Sequence, residues 1–234
     1  TAYSSATATS NITVNSINDA PVLAGANNFT TISEDQTTNA GDLVSTLISG
    51  QVSDVDASAV NGIAITSLTS GTGTWQYSTD NGGTWTSVGS VSDSSALLLR
   101  STDKLRFIPD GQNSTTGSVT FRAWDQTNGS AGSKVDVSAN GGTTAYSMVT
   151  ATSNITVTSV NDAPVLAGAN NFATLCEDQT ANSGDLVSTL ISGQVSDVDS
   201  GAVQGIAITG VSNSQGAWQY STDNGSTWTS VGSV

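Results

Sequence analysis

The chain repeats itself. Residues Thr1–Val91 align without a gap on Thr144–Val234, an offset of 143 residues, and 71 of the 91 pairs are identical. Solenoid and propeller repeats run to roughly 20–50 residues, so this period is too long for either. It suits a whole domain, because a unit of this size buries enough apolar surface to hold its own core. The word Asn-Asp-Ala-Pro, at Asn18–Pro21 and again at Asn161–Pro164, is the natural joint, since proline interrupts strands and here follows a polar pair. Residues 1–20 then read as the last strand of a preceding module, 21–163 as one complete module and 164–234 as the first half of the next. The opening TAYSSATATS lacks the pattern of a signal peptide and reads as the inside of a strand, which predicts a piece of a longer array.

Within the complete module the composition points to strands. Thr, Ser, Gly, Asn and Val dominate; β-branched residues favour pleated surfaces, while Gly, Asn, Asp and Ser favour turns. The pattern predicts strands at Phe29–Ser33, Gly62–Leu68, Thr74–Ser78, Thr84–Val88, Ala96–Arg100, Leu105–Ile108, Ser118–Trp124 and Val149–Val157. Leu43, Val44, Leu47 and Ile48 have helical spacing, enough for one short turn of helix. About eight short strands in such a unit predict an all-β fold, a two-sheet sandwich of immunoglobulin-like type with Greek-key connections.

Charge and missing residue types exclude several functions. Five Lys+Arg against nineteen Asp+Glu give a net charge of −14, which argues against nucleic acid and anionic membrane surfaces as partners. No apolar run is long enough for direct membrane insertion. With no histidine, a Ser-His-Asp triad is impossible, and the single Cys176, which replaces Ser33 of the earlier repeat, allows neither an internal disulfide nor a thiolate zinc site. The stretch Ser78–Trp85, STDNGGTW, returns at Ser221–Trp228 and resembles the Asp-box of sialidase propellers. One box per 143 residues is the wrong spacing for a propeller blade, and three arginines are all the chain has for a sialidase-type site. Asn-Gly instead predicts a type I′ hairpin, whose two central residues need positive φ. The chain is therefore expected not to be an enzyme. Trp75, Tyr77 and Trp85 are expected to pack the hairpin, with polysaccharide stacking as the alternative.

Three acidic words recur at the same offset: Glu34-Asp35 with Glu177-Asp178, Asp54-Val55-Asp56 with Asp197-Val198-Asp199, and Asn18-Asp19 with Asn161-Asp162. Asp125 follows the strand ending at Trp124. Asp-x-Asp sets two hard oxygen donors close together in a turn, and calcium takes six to eight oxygens, carbonyls included. Without imidazole and almost without thiol, a soft-metal site has no ligands, so Ca2+ is the expected ion. The basic residues all lie between Arg100 and Lys134, away from these words in sequence.

In this order the words resemble the tandem cadherin-like repeats of giant bacterial surface proteins and RTX-type adhesins, over nearly the whole chain. Cadherins hold calcium between modules with a Glu of the first strand, an Asp-Arg-Glu word, an Asn-Asp linker, an Asp-x-Asp and a later Asp. The resemblance implies one joint using Glu34, Asn161, Asp162, Asp197 and Asp199, and an upstream joint using Asn18, Asp19, Asp54, Asp56 and Asp125. Two departures weaken the ligand set: Ala20 and Ala163 replace the second linker Asn, and the Asp-Arg-Glu position reads FIPDGQN, leaving Asp110 and Asn113. The implied role is a calcium-rigidified extender or adhesion repeat on a bacterial cell surface, its partners being neighbouring modules. The alternative is a subunit of an extracellular filament or sheath held by homotypic contacts, with strand exchange through residues 1–20 conceivable.

Overall fold

A computed structural model of the chain describes residues 2–57 and 59–234. It divides into two units, residues 1–160 and 161–234.

The first unit is an all-β sandwich. Its strands are β1 (Val22–Leu23), β2 (Ile32–Ser33), β3 (Asp42–Leu43), β4 (Val52–Ser53), β5 (Gly62–Thr69), β6 (Thr74–Ser78), β7 (Thr86–Ser87), β8 (Ala96–Arg100), β9 (Lys104–Ile108), β10 (Thr115–Trp124), β11 (Lys134–Val135) and β12 (Ala151–Thr158). The short helix α1 spans Val44–Leu47, where the helical spacing of apolar residues placed it. One sheet runs β11-β8-β5-β10-β12-β2 and the other β3-β9-β6-β7, with β1 and β4 forming a separate pair. All neighbours are antiparallel except β12 and β2, which run parallel with Val157 beside Ile32 and Thr158 beside Ser33.

The core lies between the two sheets. Ile63, Ile65, Leu97, Leu99, Val119 and Phe121 of the larger sheet join Trp75, Leu105 and Phe107 of the smaller in one buried cluster. Trp75 is its hub: its ring centroid lies 4.9 Å from Phe29 and 5.0 Å from Phe107, the latter edge-on. The indole N–H donates to the Thr69 carbonyl at 2.8 Å, so the one polar atom of this buried ring is satisfied.

Two features depart from the pattern read in the sequence. Ala96–Leu99 are all buried, not alternately so, because the outer face of the larger sheet is covered too. Trp124, Val137, Ala145 and Tyr146 pack there against Ala64, Ala96 and Leu98 in a second cluster. A strand buried on both faces reads as a continuous apolar run, which is what Leu97-Leu98-Leu99 is. The expected opening strand also shrinks to Ile32–Ser33, although Phe29 still donates its N–H to the Asn154 carbonyl at 3.0 Å.

In the second unit the same words build the same local pieces: β13 (Val165–Leu166) pairs with β14 (Val195–Ser196), helix α2 spans Val187–Leu190, and β15 (Gln219–Tyr220) pairs with β16 (Thr229–Ser230). Phe172 lies 5.1 Å from Trp218, repeating the contact of Phe29 with Trp75. Burial is what differs: Trp75 is 2% exposed and Trp218 40%. Residues 2–20 carry no strand, and Ile12 and Val14 are exposed where their counterparts Ile155 and Val157 are buried.

The contrast predicts unequal costs for one substitution. Trp75→Ala should destabilise the first unit by about 3–5 kcal/mol, the range for an aromatic removed from a packed core. Trp218→Ala should cost less, since 40% of that side chain is already exposed. Urea unfolding of the two variants checks this.

Candidate metal centre

In the first unit, five of the residues predicted from sequence are linked by hydrogen bonds. Asp56 accepts the backbone N–H of Asp19 through Oδ2 at 2.7 Å, and donates its own N–H to Asp54 Oδ1 at 2.9 Å. The Asn18 amide donates to Asp125 Oδ2 at 2.9 Å and to the Thr144 carbonyl at 3.2 Å. Asp125, almost fully buried at the end of β10, takes the N–H and hydroxyl of Thr127 on its other oxygen at 2.8 and 2.6 Å. Residues 18–20 are thus held by their side chains and by the bond from Ala20 N–H to the Gly142 carbonyl at 2.8 Å. These bonds reach from Asn18-Asp19 both to the Asp-x-Asp loop and to the turn after β10.

The local chemistry explains the spacing. In Asp54-Val55-Asp56 the first carboxylate accepts the N–H two residues on, an Asx turn, and that turn presents the second carboxylate to Asp19. The second unit repeats the arrangement: Asp199 accepts the Asp162 N–H at 2.8 Å and donates its N–H to Asp197 Oδ1 at 2.9 Å, while the Asn161 amide donates to the Asp162 carbonyl at 2.8 Å.

Glu34 is a different kind of carboxylate. It is fully buried, it accepts the Val160 N–H on Oε1 at 2.6 Å, and its backbone N–H donates to the Thr158 carbonyl at 3.0 Å. Oε2 of Glu34, Oδ2 of Asp54 and Oδ2 of Asp162 are buried with no hydrogen-bond partner among the described residues. A buried acceptor without a donor costs about 1–3 kcal/mol, more for a charged group, so three such atoms on three predicted ligands are suited to a cation. Glu34 of the first unit, and Asp162 and Asp199 of the second, each offer a carboxylate oxygen of the kind a metal ion takes. The two ion pairs found among the described residues, Arg100 with Asp103 and Arg122 with Asp93, involve none of the predicted ligands. An all-oxygen set of this kind fits a hard cation.

Asp110 and Asn113 stand apart from these groups. Asp110 accepts the N–H of Gln112 and of Asn113 and the Asn113 amide, and the Asn113 side chain foremost holds its carboxyl below the usual range. It caps its own turn. Sequence reasoning also missed Tyr146, a buried phenol that packs with Trp124 and whose hydroxyl has no partner among the described residues. Burial first, and the charge of Asp125 second, push its ionisation up. Nothing near Tyr146 in sequence marks this, since Asp125 lies 21 residues earlier.

The Asp-box word forms a hairpin. β6 and β7 pair with Gln76 beside Ser87 and Tyr77 beside Thr86, which centres the turn on Asn81-Gly82. Both have positive φ, 61° and 96°, as the type I′ reading required. Asp80 closes the loop by accepting the N–H of Thr84 on one oxygen and its hydroxyl on the other, both at 2.8 Å, plus the Ser78 hydroxyl at 2.7 Å. Of the hairpin aromatics, Trp75 is buried, and the Arg106 guanidinium covers the ring of Trp85 at 4.0 Å. Trp75 therefore has no free face for a sugar to stack on, while Trp85 is half-buried with one face covered. Comparisons with family models, curated proteins and solved structures found no match for the chain.

Asp80 and Asp223 carry the same pH prediction. The Thr84 N–H foremost, with the hydroxyls of Ser78 and Thr84, lowers Asp80 to about 2, and the Thr227 hydroxyl foremost lowers Asp223 to about 2. A carboxyl depressed by folding contributes stability that is complete above its unfolded value near 3.8 and is lost as pH falls towards about 2. Carboxyl NMR titration should therefore find both midpoints near 2, and Thr84→Val should move Asp80 upward while leaving Asp223 in place.

Proposed function

We propose that the chain is a calcium-rigidified structural repeat, an extender of the cadherin-like kind from a large bacterial surface or secreted protein. The observation that carries the reading is the relay from Asn-Asp to Asp-x-Asp, built twice with the same bonds, with a buried carboxylate oxygen left without a donor in each copy. A structural repeat needs this fidelity, because every joint of an array must have the same geometry. Asn18, Asp19, Asp54, Asp56 and Asp125 form the upstream ligand set, and Asn161, Asp162, Asp197 and Asp199 repeat its first four members. Residues 21–163 hold twelve acidic and five basic side chains, so successive modules repel until a cation lowers the charge at their joints.

The magnitudes suit a stiffener better than a folding cofactor. Extracellular calcium sites bind at about 10⁻⁴–10⁻³ M. At ten times Kd, one site adds about 1.4 kcal/mol to the state that binds. That is small against the stability of a module but holds a hinge about tenfold more firmly. Among the described residues no helix is long and apolar enough to cross a membrane. The charge and the apolar faces of the strands agree with a module that works in water.

Thermal melting and small-angle scattering of the chain, in calcium and then in EGTA, test the proposal. Calcium at ten times Kd should raise Tm by about 3–6 °C for a unit of this size and narrow the distribution of interatomic distances. Both effects should be lost in Asp54→Asn/Asp56→Asn combined with Asp197→Asn/Asp199→Asn. Identical melting and scattering in the two buffers would overturn the reading.

A further inference from the structure

Asparagine followed by glycine is the step at which a polypeptide most readily closes on itself. The glycine amide nitrogen attacks the asparagine side-chain carbon and ammonia leaves. The resulting succinimide then takes up water to give aspartate or isoaspartate. Glycine favours the closure because it has no side chain to crowd the attack and bends freely. The closure also needs the amide nitrogen unengaged and the main chain free to turn. The chain has five such steps, at Asn61, Asn81, Asn128, Asn140 and Asn224.

The fold restrains all but one of them. Gly62 opens β5, buried between Arg100 of β8 and Trp124 of β10. The Gly82 N–H donates to the Ser78 hydroxyl oxygen and the Gly225 N–H to that of Ser221, both at 2.8 Å, because each Asp-box turn folds back on its first serine. The Gly141 N–H donates to the Tyr146 carbonyl at 2.8 Å, and the Asn140 side chain is itself tied to the carbonyls of Val137 and Ser138. Asn128-Gly129 differs on each point. Both residues are exposed, in the loop after β10. Neither the Gly129 N–H nor the Asn128 side chain has a hydrogen-bond partner among the described residues.

What is engaged at this step is the carbonyl, and that promotes the reaction. Asn128 O accepts the Trp124 indole N–H at 2.7 Å. Hydrogen-bonded groups polarise one another. A donor on the carbonyl draws electrons from the nitrogen of the same peptide, so the Gly129 N–H loses its proton more readily, and the deprotonated nitrogen is the nucleophile. We infer that Asn128 is the chain's site of deamidation, closing a succinimide with the free Gly129 amide and opening with water to aspartate and isoaspartate. In isoaspartate the main chain runs through the former side chain and gains an atom, while the carbonyl that received the indole becomes part of a free carboxylate. The loop has little slack for this: Gly129 has φ 85°, and a Cβ built on it would collide with Leu98. Thr127, next in the chain, holds Asp125 through its N–H and hydroxyl, so the strain and the new charge fall on the turn that fixes Asp125. The reaction takes up only water and releases ammonia, and it stands apart from the calcium reading.

Hydroxylamine makes the inference testable, because it attacks a succinimide and cuts the chain at that step. The folded chain at mildly alkaline pH should be cut first after Asn128, into residues 1–128 and 129–234. That cut should run about tenfold or more faster than at any other Asn-Gly step, whose amide must first be released by local opening. In urea strong enough to unfold the chain, all the Asn-Gly steps should be cut at similar rates, since the fold no longer sorts them. Asn128→Gln should remove the leading cut from the folded chain and leave the slower ones, because closure through the longer side chain is much less favourable. Without hydroxylamine, peptide mapping of the aged folded chain should find isoaspartate at position 128. Cutting of the folded chain at Asn81 or Asn140 as fast as at Asn128 would overturn the proposal. So would a lead for Asn128 that persists undiminished in urea, since its cause would then be the local sequence and not the free amide.

Discussion

The first unit depends on closing its larger sheet with a strand that arrives late in the chain. β12 lies between β10 and β2, and the bonds from residues 153–160 to residues 27–34 span 124 to 126 residues. Closing a loop that long costs chain entropy that grows only with the logarithm of its length, so the sheet must return that cost through one continuous interface. It does so with seven antiparallel register pairs to β10 on one side and the parallel contact with β2 on the other. Ile155 and Val157 meanwhile enter the cluster that holds Trp75 and Phe107. Contacts of such separation form slowly, and the local hairpins around Asn81 and α1 are what the chain can build first.

The same closure connects the core to the carboxylates. Glu34 follows β2 directly, so the register that sets Val157 beside Ile32 also brings Val160 N–H onto Glu34 Oε1. Asp125 follows β10 directly and is buried by the segment that covers the outer face of the sheet. The acidic words are therefore extensions of the strands they follow, and their positions are inherited from packing. The Asp-x-Asp loop is the exception, since its shape comes from its own Asx turn and reappears in the second unit.

How far this could be read from sequence follows from the range of each interaction. The strands at Thr74–Ser78 and Ala96–Arg100, the helical turn at Val44–Leu47 and the Asn81-Gly82 hairpin are set by neighbouring residues and were legible. The two-residue strands at Val22, Asp42, Val52 and Lys134 exist only because a distant strand lies beside them, and no local periodicity announces them. Likewise the links from Asn18 to Asp125 and from Asp19 to Asp56 agree with the recurring words, while the separate role of Asp110 depends on Asn113 turning back on it. Residues 8–14 show the limit of local reading most clearly. A sequence that is a strand at 151–157 is unpaired at 8–14, because a strand is a relation between two segments.

The parallel run of β12 on β2 bears on how the unit carries mechanical load. β2 begins near the start of the module and β12 ends near its finish, so tension applied at residues 21 and 163 pulls these neighbours in opposite directions along their length. Force in that geometry shears the bonds from Asn27–Glu34 to Ser153–Val160 together, whereas a hairpin pulled from its open end unzips one bond at a time. The segment that closes the fold is thus also its clamp, and the unit resists stretching where a tethered chain would feel it first.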